Sequence, residues 1–532
     1  MIALVLAAAP AATAATWFVN KANSPPTQNG LAWSTAFRDI QPAIDVAAKG
    51  DEIWVAGGTY GEARNDETGA VLMKAGVALY GGFAGNETQR DARDWTARPT
   101  IVSGAAARGG SPAWHTIMGA DDAVLGAYVA PTLARLVTGG VASGTGDTAN
   151  GGGMYNAFAS PLVVHCTFTG NAANGSGGGV HNHQSSPVFL LCTIQNNMAA
   201  FGAGMYNHIS SPKVLNCAFA TNTASQSGGA VANRGACSPL FLGCTISGNA
   251  AGDGAGLENN DACTPELIRC TVNGNVASNA GGGLVARGGA TVAMRHCALS
   301  NNQAAFGGGV YCDTAVAEFS DCSFTLNAAV SGAGGAVSFA NAWPNVARCA
   351  FRANSALRGG ALYNANGPLL LSNGVFWGNT ATNGSGGAAY FEGPQTALLV
   401  NTSFSANQAQ NGGVGGAVYC AAGAPCTFSN DILYGDTPSE IGGATPTVIY
   451  SDIQGGHAGT GNIQTNPQFR DAAAGDLSLL AGSPCINKGT AGNAPSNDIL
   501  GTPRPLPSGG LFDMGAYEYG TAGPVADWRA SP

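Results

Sequence analysis

Charged residues are scarce in this chain: Asp, Glu, Lys and Arg make up only 10% of its 532 residues. The net charge is −9, and no cluster of Lys or Arg offsets it, which argues against a nucleic acid as partner. Beyond the N-terminal segment, no apolar stretch reaches the length of a membrane-spanning helix. The 80 glycines follow no three-residue period, which excludes a collagen-like chain.

One sequence pattern recurs about eleven times between Gly151 and Tyr419. Each copy begins with a Gly/Ala pair and an aliphatic residue, passes a turn, and enters an alternating segment that ends in Cys-x-apolar, with Asn three residues later. The cysteines are spaced by 25 to 27 residues: Cys166, Cys192, Cys217, Cys244, Cys270, Cys297, Cys322 and Cys349. The asparagines continue further: Asn171, Asn197, Asn222, Asn249, Asn275, Asn302, Asn327, Asn354, Asn379 and Asn407. A fixed period without a helical interval predicts a solenoid of strands and turns.

The alternation within each copy predicts which side chains face the core. Val164, Cys166 and Phe168 alternate with polar neighbours, so one strand face points inward, and equivalent residues of successive coils lie about 4.8 Å apart. Asn tolerates left-handed backbone angles, so the closing asparagines are expected to form an amide ladder at one corner. A second ladder is expected from Asn156, Asn182, Asn207, Asn233 and Asn259. We therefore predict an all-β fold, a right-handed parallel β-helix.

The repeat resembles that of a known family. The motif GGAV at Gly334 with FRAN at Phe351 is similar to the repeat of the chlamydial polymorphic outer-membrane proteins, which belong to the pectin-lyase-like β-helices. The resemblance covers the repeat region, and it implies the β-helix fold and an adhesive role. The segment from Asn466 to Tyr519, with SPCINKG and DMGAYEY, resembles the choice-of-anchor segment of exported bacterial β-helix proteins.

Five regions are expected along the chain. Residues 1–15 resemble a secretory signal peptide, with an apolar run and an Ala-x-Ala site, so we expect a secreted or cell-surface protein. Residues 16–130 are expected to form the N-terminal cap and first irregular coils, with a short capping helix within Asp39–Lys49. Residues 131–440 are the regular repeats, residues 441–520 the last coils and an irregular C-terminal cap, and residues 521–532 a tail. Four charged residues are expected to pair inside that cap: Asp498, Arg504, Asp513 and Glu518.

Candidate functional residues are found by comparing equivalent positions of successive copies. The residue after the inward aliphatic is expected to face outward, and this column includes Tyr155, His181, Tyr206, Glu258, Tyr311, Tyr363, Tyr390 and Tyr419. The candidate ligand-binding residues are the tyrosines and His181 of this column, together with His183. Two residues further on, the same face carries His183, His208, Arg234, Asn260, Arg287 and Asp313. Another column beside the ladder cysteines, from His165 to Arg348, mixes residue types without a chemical theme and is interpreted as solvated surface.

Two classes of function stay open. A polysaccharide lyase or glycoside hydrolase acting on an acidic polysaccharide needs a cation, a base and an acid, and the candidate catalytic residues are Tyr206, His208, Arg234, Glu258 and Arg287. An exposed strand face also carries tyrosines and mixed charges without catalysis, and this interpretation is favoured. It gives an exported structural or adhesive protein that binds a polysaccharide or cell-surface glycan. No cofactor is required, although Asp253, Glu258 and Asp261 are candidates for holding Ca²⁺.

Four cysteines outside the ladder are candidates for disulfides. Cys237 and Cys263 each precede a ladder cysteine by seven residues, so they occupy the same corner of adjacent coils, and we predict a disulfide between them. Cys420 and Cys426 bracket a short loop, and a second disulfide is predicted there. The sequence contains no Cys-x-x-Cys motif, which argues against a structural metal site.

Overall fold

The chain forms an almost entirely β solenoid of parallel strands, which confirms the predicted parallel β-helix. The computed structural model describes residues 14–24, 26–62, 70–107, 110–119, 124–126, 136–138, 141–142 and 149–520. The expected tail and all but the last two residues of the expected signal peptide lie outside these ranges. Among the described residues, no helix is long and apolar enough to cross a bilayer.

Each regular coil contributes one strand to each of four parallel sheets, which we number 1 to 4 in the order in which the chain meets them from Met154. Sheet 1 consists of Val71–Leu72, Ile117–Met118, Met154–Ala157, Val180–His183, Met205–His208, Val231–Arg234, Leu257–Asn259, Leu284–Ala286, Val310–Asp313, Val337–Ala340, Leu362–Ala365, Ala389–Glu392, Val418–Cys420 and Ile441–Gly443. Sheet 2 consists of Thr16–Val19, Glu52–Ala56, Ala78–Phe83, Val124–Gly126, Leu162–Val164, Val188–Leu190, Lys213–Leu215, Leu240–Leu242, Glu266–Ile268, Thr291–Arg295, Val316–Ser320, Trp343–Ala347, Leu369–Ser372, Ala397–Val400, Cys426–Ser429 and Thr447–Ile449.

Sheets 3 and 4 complete the coil. Sheet 3 consists of Gly58–Tyr60, Thr100–Ser103, Leu136–Thr138, Thr167–Thr169, Thr193–Gln195, Ala218–Ala220, Thr245–Ser247, Thr271–Asn273, Ala298–Ser300, Ser323–Thr325, Ala350–Arg352, Val375–Trp377, Ser403–Ser405, Ile432–Leu433 and Asp452–Ile453. Sheet 4 consists of Val141–Ala142, Ala172–Ala173, Met198–Phe201, Thr223–Ser227, Ala250–Asp253, Val276–Ala280, Gln303–Ala304, Ala328–Ala333, Ser355–Arg358, Thr380–Ala381 and Gln408–Ala409.

The Gly/Ala pair of each copy marks the turn from sheet 4 to sheet 1. Gly202 has a φ of 54°, in the left-handed region that favours glycine. At Gly204 an added Cβ would lie 2.5 Å from the carbonyl oxygen of Ala230 in the next coil. The first glycine therefore supplies the bend, and the second lets the backbones of neighbouring coils approach closely.

Both predicted asparagine ladders are present and buried. Along the corner ladder, each asparagine donates its backbone N–H and its side-chain Nδ2–H to the Oδ1 of the equivalent asparagine in the next coil, as Asn275 does to Asn302 at 3.1 and 2.9 Å. The ladder runs from Asn171 to Asn407 and ends on the carboxylate of Asp436. The second ladder runs from Asn156 to Asn259 with Nδ2–Oδ1 distances of 2.7 to 2.8 Å. The ladder cysteines are buried in the core, as predicted.

A short helix packs against the first coils. The helix Ile40–Val46 lies within the predicted range and buries Ile40, Ala43 and Ile44 against the solenoid core. Glu62 Oε1 accepts a hydrogen bond from Ile40 N at 2.5 Å, which satisfies one of the free N–H groups at the start of the helix. Three 3₁₀ turns also occur in the described chain, Trp33–Thr35, Arg90–Ala92 and Ala472–Ala474.

The C-terminal segment, residues 466–520, is irregular and lies along the outer face of sheet 3 in the last coils. It contains one antiparallel pair of strands, Phe469–Asp471 and Asp476–Leu479. Leu477, Ile499 and Ala516 pack against the sheet 3 residues Ala350 and Val375. Inside the segment, Arg504 Nη1 lies 3.0 Å from Glu518 Oε2, and both side chains are fully buried, so this predicted internal pair is confirmed.

The column from His165 to Arg348, which has no chemical theme, forms the turn between sheets 2 and 3. Its residues have positive φ angles of about 50°, for example Arg269 at 53° and Asn373 at 50°. In the last coils the turn residue is asparagine, and its amide binds the C-terminal segment: Asn373 Nδ2 donates to Asn497 O at 2.8 Å, and Asn430 Nδ2 donates to Thr490 O at 2.8 Å. The left-handed backbone explains the choice of Asn, and the docked segment gives its amide a partner.

Only one of the two predicted disulfides is formed. Cys420 and Cys426 are bonded, with their Cα atoms 6.5 Å apart. Cys237 and Cys263 are both free and buried, so the disulfide predicted between them is wrong, and Cys237 N donates to Cys263 Sγ at 3.2 Å instead. Side chains of in-register neighbours point the same way, so their Cβ atoms stay about 4.8 Å apart, whereas a disulfide needs about 3.5–4.5 Å.

Candidate functional site

The candidate residues line a groove between the outer side of sheet 1 and the strands of sheet 4. Three contacts join the two sheets. Arg234 Nη2 donates to Ser227 Oγ at 3.1 Å, Arg287 Nη2 lies 3.2 Å from Asp253 Oδ1, and the Arg358 guanidinium lies 5.9 Å from the Tyr390 ring centre. We call this surface the 1/4 groove, and it collects nearly all the residues that the sequence singled out.

Part of the column that the sequence predicts to be exposed is buried. Tyr155, His181 and Glu258 keep only 3%, 5% and 5% of their surface accessible, and Tyr390 keeps 9%. The expectation of an outward, solvated column is therefore wrong at these positions, because neighbouring rings or charged side chains enclose them. Tyr206, Tyr311, Tyr363 and Tyr419 are half-buried.

At the N-terminal end of the groove, four rings from successive coils stack on one another. The ring centres of His115 and Tyr155 are 4.9 Å apart, those of Tyr155 and His181 are 5.1 Å apart, and those of His181 and Tyr206 are 5.0 Å apart. Burial lowers the pKa of His181 to about 3, so its imidazole is neutral at physiological pH. A ring this deeply enclosed cannot contact a substrate and acts in packing.

Arg234 is held by an ion pair with Glu258 of the next coil. Its Nε lies 3.2 and 3.1 Å from the two carboxylate oxygens, and its Nη2 lies 2.7 Å from Oε1. The guanidinium also lies over the ring of Phe201, 4.3 Å from its centre. Burial raises the pKa of Glu258, while the hydrogen bonds from Arg234 act in the opposite direction. The two predicted catalytic groups therefore neutralise each other.

Arg287 is paired in the same way. It lies 3.2 Å from Asp253 Oδ1 of sheet 4 and 5.3 Å from the ring centre of Tyr311. The proposed Ca²⁺ ligands do not converge, because Glu258 and Asp253 each bind an arginine and Asp261 is exposed. Among the described residues, no group of three or more His, Cys, Asp or Glu side chains is placed to hold a metal ion.

Two histidines of the second predicted column contact each other directly. His183 Nδ1 and His208 Nδ1 are 3.0 Å apart, with ring centres 5.1 Å apart and planes inclined by 20°. Both side chains are half-buried at the edge of the groove. Burial and the neighbouring His183 lower the pKa of His208, which favours its neutral form. Tyr206 lies beside the pair, with its ring centre 6.4 Å from that of His208.

At the C-terminal end of the groove, three tyrosines of successive coils stack face to face. The ring centres are 5.7 Å apart for Tyr363 and Tyr390 and 4.8 Å apart for Tyr390 and Tyr419. The Tyr363 hydroxyl donates to Glu392 Oε1, and burial together with this bond raises the tyrosine pKa. Because the ring faces contact each other, mainly the ring edges and hydroxyls are left to meet a ligand.

Four residues of the groove escaped the sequence interpretation. Glu392 follows Tyr390 by two residues, so extending the second column by three more copies would have found it. Ser227, Phe201 and Arg358 belong to sheet 4, and nothing in the sequence indicates that their strands lie beside sheet 1. Their role depends on how the coil closes.

Comparisons with known proteins concern the architecture. A family model described as "Right handed beta helix region" matches residues 151–324, which agrees with the predicted handedness. No curated protein matches the sequence. The chain is similar to the crystal structure of the pectate lyase Pel9A, with 13% identity, a TM-score of 0.29, and coverage of 96% of this chain and 97% of that one. It is also similar to the catalytic unit of a thermostable GH87 alpha-1,3-glucanase from Streptomyces thermodiastaticus strain HF3-3, with 12% identity, a TM-score of 0.32, and coverage of 83% of this chain and 70% of that one.

Proposed function

We propose that the protein is a non-catalytic, glycan-binding β-helix that works outside the cell or on a bacterial cell surface. In this proposal the glycan chain lies along the 1/4 groove. The observation that carries it is the Arg234–Glu258 pair, because the best candidate for a catalytic cation is already occupied by a carboxylate of the protein.

The charge pairing of the arginines in the groove disfavours catalysis. Elimination from a uronate needs a cation at the substrate carboxylate and a base at the C5 proton. Arg234 meets Glu258 with three close N–O contacts, and Arg287 meets Asp253. A substrate carboxylate would have to displace a protein carboxylate from a half-buried arginine. That exchange favours the intact ion pair, because the substrate pays an entropy cost that the protein carboxylate does not.

The tyrosines at the C-terminal end of the groove favour glycan binding. The half-buried Tyr363 and Tyr419 stack on either side of the buried Tyr390, and their edges lie in the groove near the carboxylate of Glu392 and the exposed side chain of Arg358. Binding sites for small polar ligands combine apolar rings with a few fixed hydrogen-bonding groups. A row of rings with polar edges offers this combination to several sugar units of one chain.

Binding can be tested by isothermal titration calorimetry against a panel of neutral and acidic polysaccharides. We expect the triple variant Tyr363→Ala, Tyr390→Ala and Tyr419→Ala to lose at least tenfold in affinity for the glycan that the wild type binds. The matched control is Trp343→Ala, which removes an aromatic side chain that is 54% exposed on sheet 2, away from the groove. Equal affinities for the triple variant and the wild type would refute the assignment of this groove.

The same panel tests for turnover, measured as the release of unsaturated or reducing ends. We expect none from the wild type. Cleavage by the wild type that disappears in Arg234→Ala and survives the triple tyrosine change would overturn the proposal and establish a lyase or hydrolase. Circular dichroism of Arg234→Ala is needed beside the assay, to show that the coils remain folded.

A further inference from the structure

We propose that His183 and His208 form a binding site for a divalent transition-metal ion of the copper, nickel and zinc group. The inference goes beyond glycan binding and does not depend on it. The two residues occupy equivalent positions in adjacent coils and are paired in register across sheet 1. The parallel stacking that builds the asparagine ladders inside the solenoid therefore places two imidazoles side by side on its outer surface.

The separation of the two nitrogens suits one shared ion. Imidazole nitrogens bind such ions at about 2.0–2.1 Å, so two nitrogens on one ion are about 2.9 Å apart at a right angle and about 3.4 Å apart at the tetrahedral angle. The observed distance between the Nδ1 atoms is 3.0 Å. The backbone register thus brings the two nitrogens together at this spacing, and a bound ion would replace the hydrogen bond that joins them in the metal-free pair.

The protonation state also fits. In the metal-free pair, one Nδ1–H donates to the other Nδ1, so one ring carries its proton on Nδ1. Binding of the ion requires both rings to carry their single proton on Nε2, which shifts one tautomer and releases no proton. Neutral imidazole is the form that binds metal.

The surroundings restrict the site to these two ligands and solvent. Phe158 packs edge-on against His183, with ring centres 5.7 Å apart. A Cβ added at Gly235 would lie 3.2 Å from Cδ2 of His208, so this glycine closes the ring edge opposite Nδ1. No third His, Cys, Asp or Glu of the described chain joins the pair. The remaining coordination positions are therefore open to water, and imidazole with water suits Cu²⁺, Ni²⁺ and Zn²⁺.

The test uses the full-length chain without a histidine tag, titrated with Cu²⁺, Ni²⁺ and Zn²⁺ separately by calorimetry. We expect one ion per chain, with Cu²⁺ bound most tightly, as the order of divalent-ion affinities requires. His183→Gln and His208→Gln should each weaken Ni²⁺ binding at least tenfold. The control His457→Gln removes a histidine in the loop after the last coil and should leave the affinity unchanged.

Electron paramagnetic resonance of the Cu²⁺ complex supplies a second measurement that needs no variant. We expect hyperfine structure from two equivalent nitrogens. The proposal is overturned if none of the three ions binds below millimolar concentration, if both glutamine variants bind as the wild type does, or if the spectrum shows a single nitrogen. A shift of the thermal midpoint to higher temperature on adding Ni²⁺, absent in His208→Gln, would support the site independently.

Discussion

The corner ladder makes the most direct prediction about stability, and Asn275→Ala is the change that tests it. Asn275 is fully buried in the middle of the ladder. Its Nδ2 donates to Ile246 O and to Asn302 Oδ1, both at 2.9 Å. Its Oδ1 accepts from the N and the Nδ2 of Asn249, at 3.0 and 2.9 Å. Alanine removes all four bonds at once.

The loss of stability depends on which of the former partners of Asn275 still have another hydrogen bond. Asn249 Nδ2 still donates to Phe219 O and Ser247 O, and Asn302 Oδ1 still accepts from the backbone N–H of residue 275. The backbone N–H of Asn249 loses its side-chain acceptor, and a buried donor without a partner costs about 1–3 kcal/mol. With the lost amide bonds and the small cavity, we expect a loss of about 2–4 kcal/mol in the free energy of unfolding.

The measurement is urea unfolding followed by far-ultraviolet circular dichroism. The matched control is Asn273→Ala, two residues earlier, where the side chain is half-buried on the outer side of sheet 3 and accepts from Ser300 Oγ. We expect the control to stay within about 0.5 kcal/mol of the wild type. If Asn275→Ala and Asn273→Ala unfold at the same urea concentration, the buried ladder does not carry the stability that the hydrogen bonds indicate.

Three further predictions concern groups outside that ladder's interior. Burial raises the pKa values of the neighbouring carboxyl groups of Asp436 and Glu440, so the folded state holds extra protons, and its stability should fall as the pH rises above the range in which free carboxyl groups titrate. Glu440→Gln should flatten this dependence in thermal unfolding, and an unchanged slope would contradict the assignment. Glu258→Gln leaves Arg234 without its carboxylate and should lower the free energy of unfolding by about 2 kcal/mol. This is less than the loss expected for a fully buried pair, because the arginine side chain is 25% exposed. An unchanged urea midpoint would show that the pair is dispensable. Peptide mapping without reduction should find Cys420 joined to Cys426 and should find Cys237 and Cys263 alkylated after unfolding, and a Cys237–Cys263 peptide would refute the stacked geometry.

Contacts between successive coils could be predicted from the sequence, whereas contacts across a coil could not. Residues that meet because they are one period apart were found from the sequence, as with His183 and His208 or Tyr363 and Tyr390. Residues that meet across a coil were missed, as with Arg234 and Ser227, because that contact depends on the angle at which sheet 4 meets sheet 1. Tyr155 and His181, which alternation alone placed in solvent, are buried between the rings of neighbouring coils.

The sequence by itself determined the architecture of this protein. A repeat of 25 to 27 residues with inward Cys, Phe and Asn can satisfy its backbone and its buried amides only by stacking in register, and this determined the coils and the ladders. Only the tertiary structure decided the chemistry of the surface. Whether an arginine faces a ligand or a glutamate depends on a few ångströms between neighbouring strands. The same holds for whether two cysteines lie within bonding reach, and for where the C-terminal segment docks. These positions are set by the shape of the closed coil, which no periodicity along the chain encodes.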